Sequence, residues 1–232
     1  MLTKKIRLFT IPNMFTLANL ACGSVATVLA SGRGDLRTAF WYVAAAAVFD
    51  FLDGFVARLT KQYSEVGKQL DSLCDMVSFG LAPGAILFSM YGTMGGPEPW
   101  GYLVFTVTLF SALRLAKFNV DDTQSDSFVG LPVPACALFV ASAGWLFASG
   151  TFTVNPWYIV VVAVALSYFL VSPVRMFALK FHDFSFRNNV LRYCFLILSA
   201  AGIAVFHIAA IPFIIMGYIL ISIVCSFACS KR

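Results

Sequence analysis

Four aspartates are concentrated in one short stretch of a chain that has few charges: Asp50, Asp53, Asp71 and Asp75. Within each pair the spacing of three or four residues places both side chains on one face of a helix. Four carboxylates held close together repel one another unless a cation lies among them. Oxygen ligands without His or Cys favour Mg²⁺, Mn²⁺ or Ca²⁺ over zinc. The stretch therefore predicts a site at which two divalent ions hold a phosphoryl group.

Small residues and one arginine surround these aspartates. Gly54, Ala57 and Gly67 leave room for a flat or bulky group to approach the backbone beside the metals, and Arg58 adds a planar donor suited to phosphate oxygens. The alternative is that the small residues only allow membrane helices to pack closely. Their spacing relative to the aspartates favours the binding role.

The elements that position these residues are membrane-spanning helices. Of the 232 residues 60% are hydrophobic and 12% are charged, and the mean hydropathy is +0.85. This composition excludes a soluble or a disordered protein.

A spanning helix needs about 20 mostly apolar residues, and the sequence has eight such runs. They are 13–31, 38–57, 70–91, 99–117, 131–149, 156–173, 189–206 and 209–228. We expect an all-α polytopic membrane helix bundle, with an N-terminal interfacial segment, as one domain over residues 1–232.

The basic residues predict the orientation of this bundle. If the N-terminus is cytoplasmic, all of the 16 Lys and Arg residues except Arg33 and Arg37 fall in cytoplasmic segments. Cytoplasmic loops retain Lys and Arg, so both termini are expected in the cytoplasm. The net charge of +5 then faces one leaflet and its anionic lipids, and it does not indicate nucleic-acid binding.

This topology brings the two aspartate pairs together. Asp50 and Asp53 lie near the cytoplasmic end of the second span, and Asp71 and Asp75 lie where the third begins. The short polar turn 58–68 returns the third helix antiparallel beside the second. The sequence therefore predicts that the four carboxylates converge at the cytoplasmic side.

The residues from Asp50 to Asp75 also carry a family signature. Asp50, Asp53, Gly54, Ala57, Arg58, Gly67, Asp71 and Asp75 match every fixed position of the CDP-alcohol phosphotransferase signature. Four further stretches, 11–23, 71–80, 112–119 and 128–135, resemble the branch of this family that uses serine. The resemblance covers about 5–180 and leaves 187–232 as two additional transmembrane helices. Phe55 departs from it, because many relatives carry Arg there.

This resemblance implies transfer of a phosphatidyl group from CDP-diacylglycerol to the hydroxyl of L-serine, with release of CMP. It implies that the four aspartates hold two Mg²⁺ or Mn²⁺ ions, with Ca²⁺ as a non-productive occupant, and that Asp75 also removes the serine proton. It places the CDP portion against Gly54, Ala57, Arg58 and Gly67, with Asn13 and Thr16 of the first span nearby, and Asn19 adds a further polar side chain to the start of that span. It further implies a homodimer surrounded by membrane lipids. Capping of the first helix is the alternative role for Asn13.

The serine carboxylate calls for a cation near the cytoplasmic rim. Arg114 is the first candidate, with Lys117, Asn119 and Ser78 beside it. Anchoring at the membrane surface is the alternative for the two basic residues, and a hydrogen bond within its own helix is the alternative for Ser78. Other candidates for the same role are Arg175, Lys180 and Arg187. The loop 118–130 is expected either to cover the site or to be a solvated acidic loop, since it carries Asp121, Asp122 and Asp126.

Two alternative functions remain open at this stage. The first keeps the chemistry with another acceptor (glycerol 3-phosphate, inositol phosphate or choline) or with an archaeol-type CDP lipid. An acceptor that carries phosphate would need more positively charged side chains near the site. Phe55 argues against such an acceptor, because it stands where many relatives carry Arg. The second is a cation transporter, which would spread carboxylates through the membrane depth.

Overall fold

The computed structural model describes residues 8–62, 64–120, 129–174, 176 and 189–230, without the side chains of 227–230. Within these ranges the chain forms nine α-helices: α1 (Ile11–Val28), α2 (Leu36–Thr60), α3 (Glu65–Asp75), α4 (Ala82–Thr93), α5 (Thr106–Val120), α6 (Val133–Ala148), α7 (Pro156–Val171), α8 (Val190–Phe206) and α9 (Ala210–Ser230). Wider π-helical turns follow α1 at Leu29–Arg33 and α3 at Met76–Leu81, and 3₁₀ turns at Trp100–Phe105 and His207–Ala209 precede α5 and α9. The all-α fold class is confirmed.

Each of the eight predicted runs coincides with a helical segment. Five segments are long and apolar enough to cross a membrane: Ile11–Arg33, Leu36–Thr60, Glu65–Thr93, Trp100–Val120 and Val190–Ser226. The last of these is divided into α8 and α9 at His207, whose φ of 51° cannot continue a helix. α6 and α7 are apolar but have only 16 residues each. The chain is therefore a polytopic helical membrane protein, and the count of eight crossings stays a prediction.

Side chains at the helix starts explain where α1, α2 and α3 begin. Thr10 caps α1 by accepting the backbone N–H of Asn13 at 3.3 Å, and Asp35 and Ser64 cap α2 and α3 in the same way. These caps satisfy N–H groups that have no partner within the helix. The capping role considered for Asn13 is therefore wrong, because its side-chain amide donates to the carbonyl of Leu8 at 2.7 Å. The interfacial segment predicted before α1 lies largely outside the described residues.

The helix that carries Asp71 and Asp75 is interrupted directly after Asp75. The π-helical turn Met76–Leu81 links α3 to α4, and Pro83 lies in the first turn of α4. Proline has no N–H to donate to the preceding turn, and π-helical turns in long helices are common at functional sites. The segment Glu65–Thr93 is therefore helical throughout, but its helix is irregular over Met76–Leu81, directly after Asp75.

The buried core is formed mainly by α2, α4, α5, α6 and α7 and by the π-helical turn Met76–Leu81. Its largest members include Tyr91, Phe79, Ile86 and Met90. α1 packs along α2 and against the π-helical turn after α3, where Gly23 allows backbone contact with Ser78. α8 has no buried residue, and α9 contacts the core through Ile215 and Ile219. The first five helices thus position the candidate site.

Candidate active site

The turn between α2 and α3 brings the two aspartate pairs to one end of the bundle. α2 ends at Thr60 and α3 begins at Glu65, so the helices run in opposite directions from the same point. At 1.5 Å rise per residue, Asp50 and Asp75 each lie about 15 Å along their helix from this turn. All four aspartates therefore lie in the half of the bundle nearest to the turn.

Three of the four aspartates form a compact cluster. One carboxylate oxygen from each of Asp50, Asp53 and Asp71 lies within 4.8 Å of the other two. Asp53 is 7% exposed, and Asp71 Oδ1 is buried without a hydrogen-bond partner among the described residues. Carboxylate oxygens with unused lone pairs at this spacing are the donor set that Mg²⁺, Mn²⁺ and Ca²⁺ prefer. The residues present therefore fit a divalent cation.

Asp75 lies at the end of α3 beside this cluster and has a different partner. Its side chain is 7% exposed, and its Oδ1 accepts a hydrogen bond from Asn19 Nδ2 at 3.0 Å. Asp53 has a similar partner, because Thr16 Oγ1 donates to its Oδ2 at 2.7 Å. Both donors come from α1, which carries none of the four aspartates.

A cavity of about 580 Å³ opens beside the cluster. All six residues predicted to bind the CDP lipid line it, together with two of the aspartates: Asn13, Thr16, Asp53, Gly54, Ala57, Arg58, Gly67 and Asp71. A Cβ on Gly67 would lie 3.2 Å from Asn13 Oδ1, so glycine keeps this wall open. Arg58 is exposed at the rim, and its Nε donates to the carbonyl of Gly54 at 2.9 Å.

The rim of the cavity also includes residues that the sequence analysis missed. They are Pro12, Gln62, Ser64, Glu65 and Lys68. All but Pro12 belong to the turn between α2 and α3 or to the first turn of α3. The sequence signal for Gln62, Ser64, Glu65 and Lys68 is their position inside the predicted polar turn 58–68, beside Arg58 and Gly67.

Of the basic residues considered for the acceptor, the structure describes Arg114 and Lys117, and Arg114 is the more buried. It is 9% exposed, and its Nε has no hydrogen-bond partner in the part of the chain that the structure describes. Lys117 lies one turn further along α5 and is exposed. The two residues line a small cleft with Phe118, Val129 and Leu170. A buried guanidinium with an unused donor is suited to bind an anion.

Asn119 and Ser78 are engaged in contacts between helices. Asn119 Nδ2 donates to Ser72 Oγ at 2.8 Å, and its backbone carbonyl accepts from Lys68 Nζ at 2.9 Å. Ser78 Oγ donates to the backbone carbonyl of Asn19 at 3.0 Å, so its hydrogen bond joins α1 and not its own helix. Neither residue lines the cavity beside the aspartates.

Phe55 belongs to the exterior of α2. It is 45% exposed, and its ring stacks on that of Phe51 with centroids 6.2 Å apart. The position at which many relatives carry Arg therefore adds no cation here. The other sequence-based candidates, Asp121, Asp122, Asp126, Arg175, Lys180 and Arg187, lie outside the described residues.

A bundle of apolar helices whose carboxylates border a polar cavity defines a polytopic membrane protein with an acidic site that fits a divalent cation. Residues 9–169 match the family model of CDP-alcohol phosphatidyltransferase, and the chain belongs to this family.

Three relatives carry the name CDP-diacylglycerol--serine O-phosphatidyltransferase. The protein of Bacillus subtilis is 30% identical over 74% of this chain and 92% of its own length. That of Mycobacterium leprae is 30% identical over 96% of this chain and 74% of its own length. That of Helicobacter pylori strain J99 is 39% identical over 57% of this chain, and the match spans 56% of that relative's length.

Proposed function

We propose that this protein transfers the phosphatidyl group of CDP-diacylglycerol to the hydroxyl of L-serine, giving phosphatidylserine and CMP. One observation carries the proposal: the aspartate cluster borders a cavity whose lining contains every residue expected at the CDP portion. The names of the relatives support serine as the acceptor. The excess of Lys and Arg on one side supports a site on the cytoplasmic face.

Asp50, Asp53 and Asp71, with Asp75 beside them, are the residues that would hold the divalent ions, which we propose to be two Mg²⁺ or Mn²⁺. A divalent ion held by these carboxylates would supply positive charge to offset that of the diphosphate of the CDP lipid. Gly54, Ala57 and Gly67 leave the space for the cytidine and its phosphates, and Arg58 donates to phosphate at the rim.

In the reaction the serine hydroxyl oxygen forms a bond to the phosphorus of the phosphatidyl group, and the bond from that phosphorus to the CMP oxygen breaks. The hydroxyl proton goes to Asp75, which is buried beside the cluster. A general base must lie within hydrogen-bond reach of the attacking hydroxyl. The helix-borne side chains supply the positioning on which phosphoryl transfer depends.

Arg114 is the residue proposed to hold the serine carboxylate. It is buried, and its Nε donates to none of the described residues, whereas Lys117 is exposed. An acceptor with a phosphate group would carry more negative charge than this one buried cation balances, and Phe55 supplies none. Serine therefore fits the described residues better than glycerol 3-phosphate or inositol phosphate.

The direct test incubates the purified protein in lipid nanodiscs with CDP-dipalmitoylglycerol, labelled serine and Mn²⁺ or Mg²⁺. We expect CMP release to match the incorporation of serine into lipid. The variant Asp71→Asn should lose more than about a hundredfold, because one charged ligand of the cluster is removed. Asp35→Asn, at the opposite end of α2, should retain activity. CMP release that does not depend on serine would overturn the acceptor, and cation flux without lipid turnover would favour a transporter.

A further inference from the structure

Asn19 is a fully buried polar residue next to the aspartates. Its side chain is 0% exposed, although it lies on the apolar helix α1. Its Nδ2 donates to Asp75 Oδ1 at 3.0 Å across the interface between α1 and α3. Buried polar side chains in a membrane protein are costly unless they have a partner. The contact with Asp75 is therefore the reason to look for a role of Asn19.

The other half of the same amide strengthens this reasoning. Asn19 Oδ1 is buried and accepts no hydrogen bond from the described residues. An unpaired buried carbonyl is unfavourable, and an apolar side chain of similar size would avoid it. Asparagine at this position is thus explained by its N–H donor and not by packing.

The backbone of Asn19 is fixed relative to the helix that carries Asp75. Ser78, one turn after Asp75, donates its hydroxyl to the backbone carbonyl of Asn19 at 3.0 Å. At Gly23, one turn further along α1, a Cβ would collide with the backbone of Ser78. The two chain segments are therefore in direct contact one turn beyond the amide, and this contact holds the backbone of Asn19 close to Asp75.

We propose that Asn19 is the positioning residue of Asp75. Its amide holds Asp75 Oδ1 and turns the carboxylate so that Oδ2 is the oxygen that takes the proton of the acceptor hydroxyl. This inference rests on the proposed function, because it needs Asp75 to act as the base. It also gives α1 a part in the chemistry, although this helix supplies none of the four aspartates.

The first test measures kcat and KM separately for Asn19→Leu in nanodiscs. We expect kcat with serine to fall by roughly tenfold or more, the effect of losing a hydrogen bond to a charged group. The KM for CDP-diacylglycerol should change by less than about twofold, because Asn19 does not line the cavity. Ser24→Ala is the matched control, since Ser24 is exposed on α1 and, among the described residues, its hydroxyl bonds to Leu20 of its own helix. Equal losses in kcat and in CDP-lipid affinity would overturn the proposal.

The second test distinguishes orientation from a general loss of structure. Asn19→Asp keeps the shape of the side chain but replaces the donor by an acceptor, and its kcat should fall at least as far as that of Asn19→Leu. In an Asp75→Asn background, Asn19→Leu should lower the residual rate by less than about twofold, because residues that act as a unit are not additive. The proposal would be overturned if Asn19→Asp retained activity. It would also be overturned if Asn19→Leu lowered the rate by the same factor in the wild-type and in the Asp75→Asn background. A wild-type protein without serine-dependent CMP release would instead overturn the proposed function itself.

Discussion

Thr16 and Asp53 are joined across the interface of α1 and α2 by a hydrogen bond in which Thr16 Oγ1 donates to Asp53 Oδ2 at 2.7 Å. Both side chains are buried, at 3% and 7% exposed. The threonine hydroxyl also lies 3.2 Å from the carbonyl of Pro12, but a hydroxyl has one proton, and the carboxylate is the nearer and charged acceptor. The contact therefore leaves one oxygen of Asp53 to face the cluster with Asp50 and Asp71.

Thr16→Val should weaken the metal site without disturbing the fold. Valine has nearly the same shape but no hydroxyl, so Asp53 loses the donor that orients it. The loss of a hydrogen bond to a charged group is about 1.5–3 kcal/mol, or roughly ten- to a hundredfold in kcat/KM. We also expect a higher Mn²⁺ concentration for half-maximal activity. Thr27→Val is the control, because Thr27 bonds only to Gly23 of its own helix, and equal Mn²⁺ requirements in both variants would contradict the role of Thr16.

Arg114→Lys should raise the KM for serine by roughly tenfold while the KM for CDP-diacylglycerol stays within about twofold. Lysine keeps the positive charge but cannot offer two parallel donors to a carboxylate. Initial rates at varied serine and at varied CDP lipid separate the two constants. Arg33→Lys applies the same substitution at the opposite end of the bundle and should change neither. A parallel rise of both constants would show that Arg114 supports the fold and not the acceptor.

The local part of the site could be predicted from the sequence. Asp50 and Asp53 share a helix face, as do Asp71 and Asp75, and one short turn joins the two helices. Spacings of three and four residues and a reversal of the chain are all that their meeting requires. The residues predicted at the CDP portion came from the same short stretch, and the family resemblance added Asn13 and Thr16 of the first span.

The contacts between distant segments could not be predicted in this way. Asn19 and Asp75 are 56 positions apart with α2 between them along the chain, and hydropathy does not determine which face α1 turns towards α3. The same limit explains why α3 begins at Glu65 and not at 70: its first turns are polar, and hydropathy detects only the apolar part. Asn119 was considered for the acceptor from its position after Arg114, whereas its side chain bonds to Ser72.

Removal of divalent ions should abolish turnover reversibly. After treatment with EDTA we expect no serine-dependent CMP release, and Mg²⁺ or Mn²⁺ should restore it. Ca²⁺ should bind but not restore activity, because it is larger and accepts more ligands in a looser geometry. Binding has a readout apart from turnover, since a ligand of the folded state raises Tm. Ca²⁺ should raise the Tm of the wild type but not that of Asp71→Asn, and full activity with Ca²⁺ alone would contradict the prediction.

Gly23→Ala should destabilise the contact between α1 and the π-helical turn. A Cβ at Gly23 would overlap the backbone and side chain of Ser78, and backbone atoms cannot turn away as a flexible side chain does. Overpacking of this kind costs typically about 1–3 kcal/mol. We expect a lower Tm in a thermal-shift assay and a larger loss in kcat than in lipid affinity, because the shift separates Asn19 from Asp75. Gly217→Ala is the control, since no atom lies within 4 Å of the added Cβ.

Asp35 should make the stability of the bundle depend on pH in the acid range. Asp35 caps α2, because its Oδ1 accepts the backbone N–H of Thr38 at 3.0 Å. Hydrogen bonding to Thr38 lowers the pKa of Asp35 below its usual value, and the charges of Arg33 and Arg37 contribute less to this shift. A carboxyl group whose pKa is lower in the folded state stabilises that state above the unfolded pKa, and this contribution is lost as the pH falls through the folded pKa. At pH 7 Asp35→Ala should therefore have a Tm a few degrees below that of the wild type. The difference should shrink as the pH falls below about 4, where the unfolded carboxyl begins to bind protons.

Asp35→Asn keeps a capping oxygen without a titratable group, so its Tm should lie nearer to the wild type at pH 7. A difference between wild type and Asp35→Ala that stays constant from pH 7 to pH 3 would show that the ionised carboxylate contributes nothing to this cap.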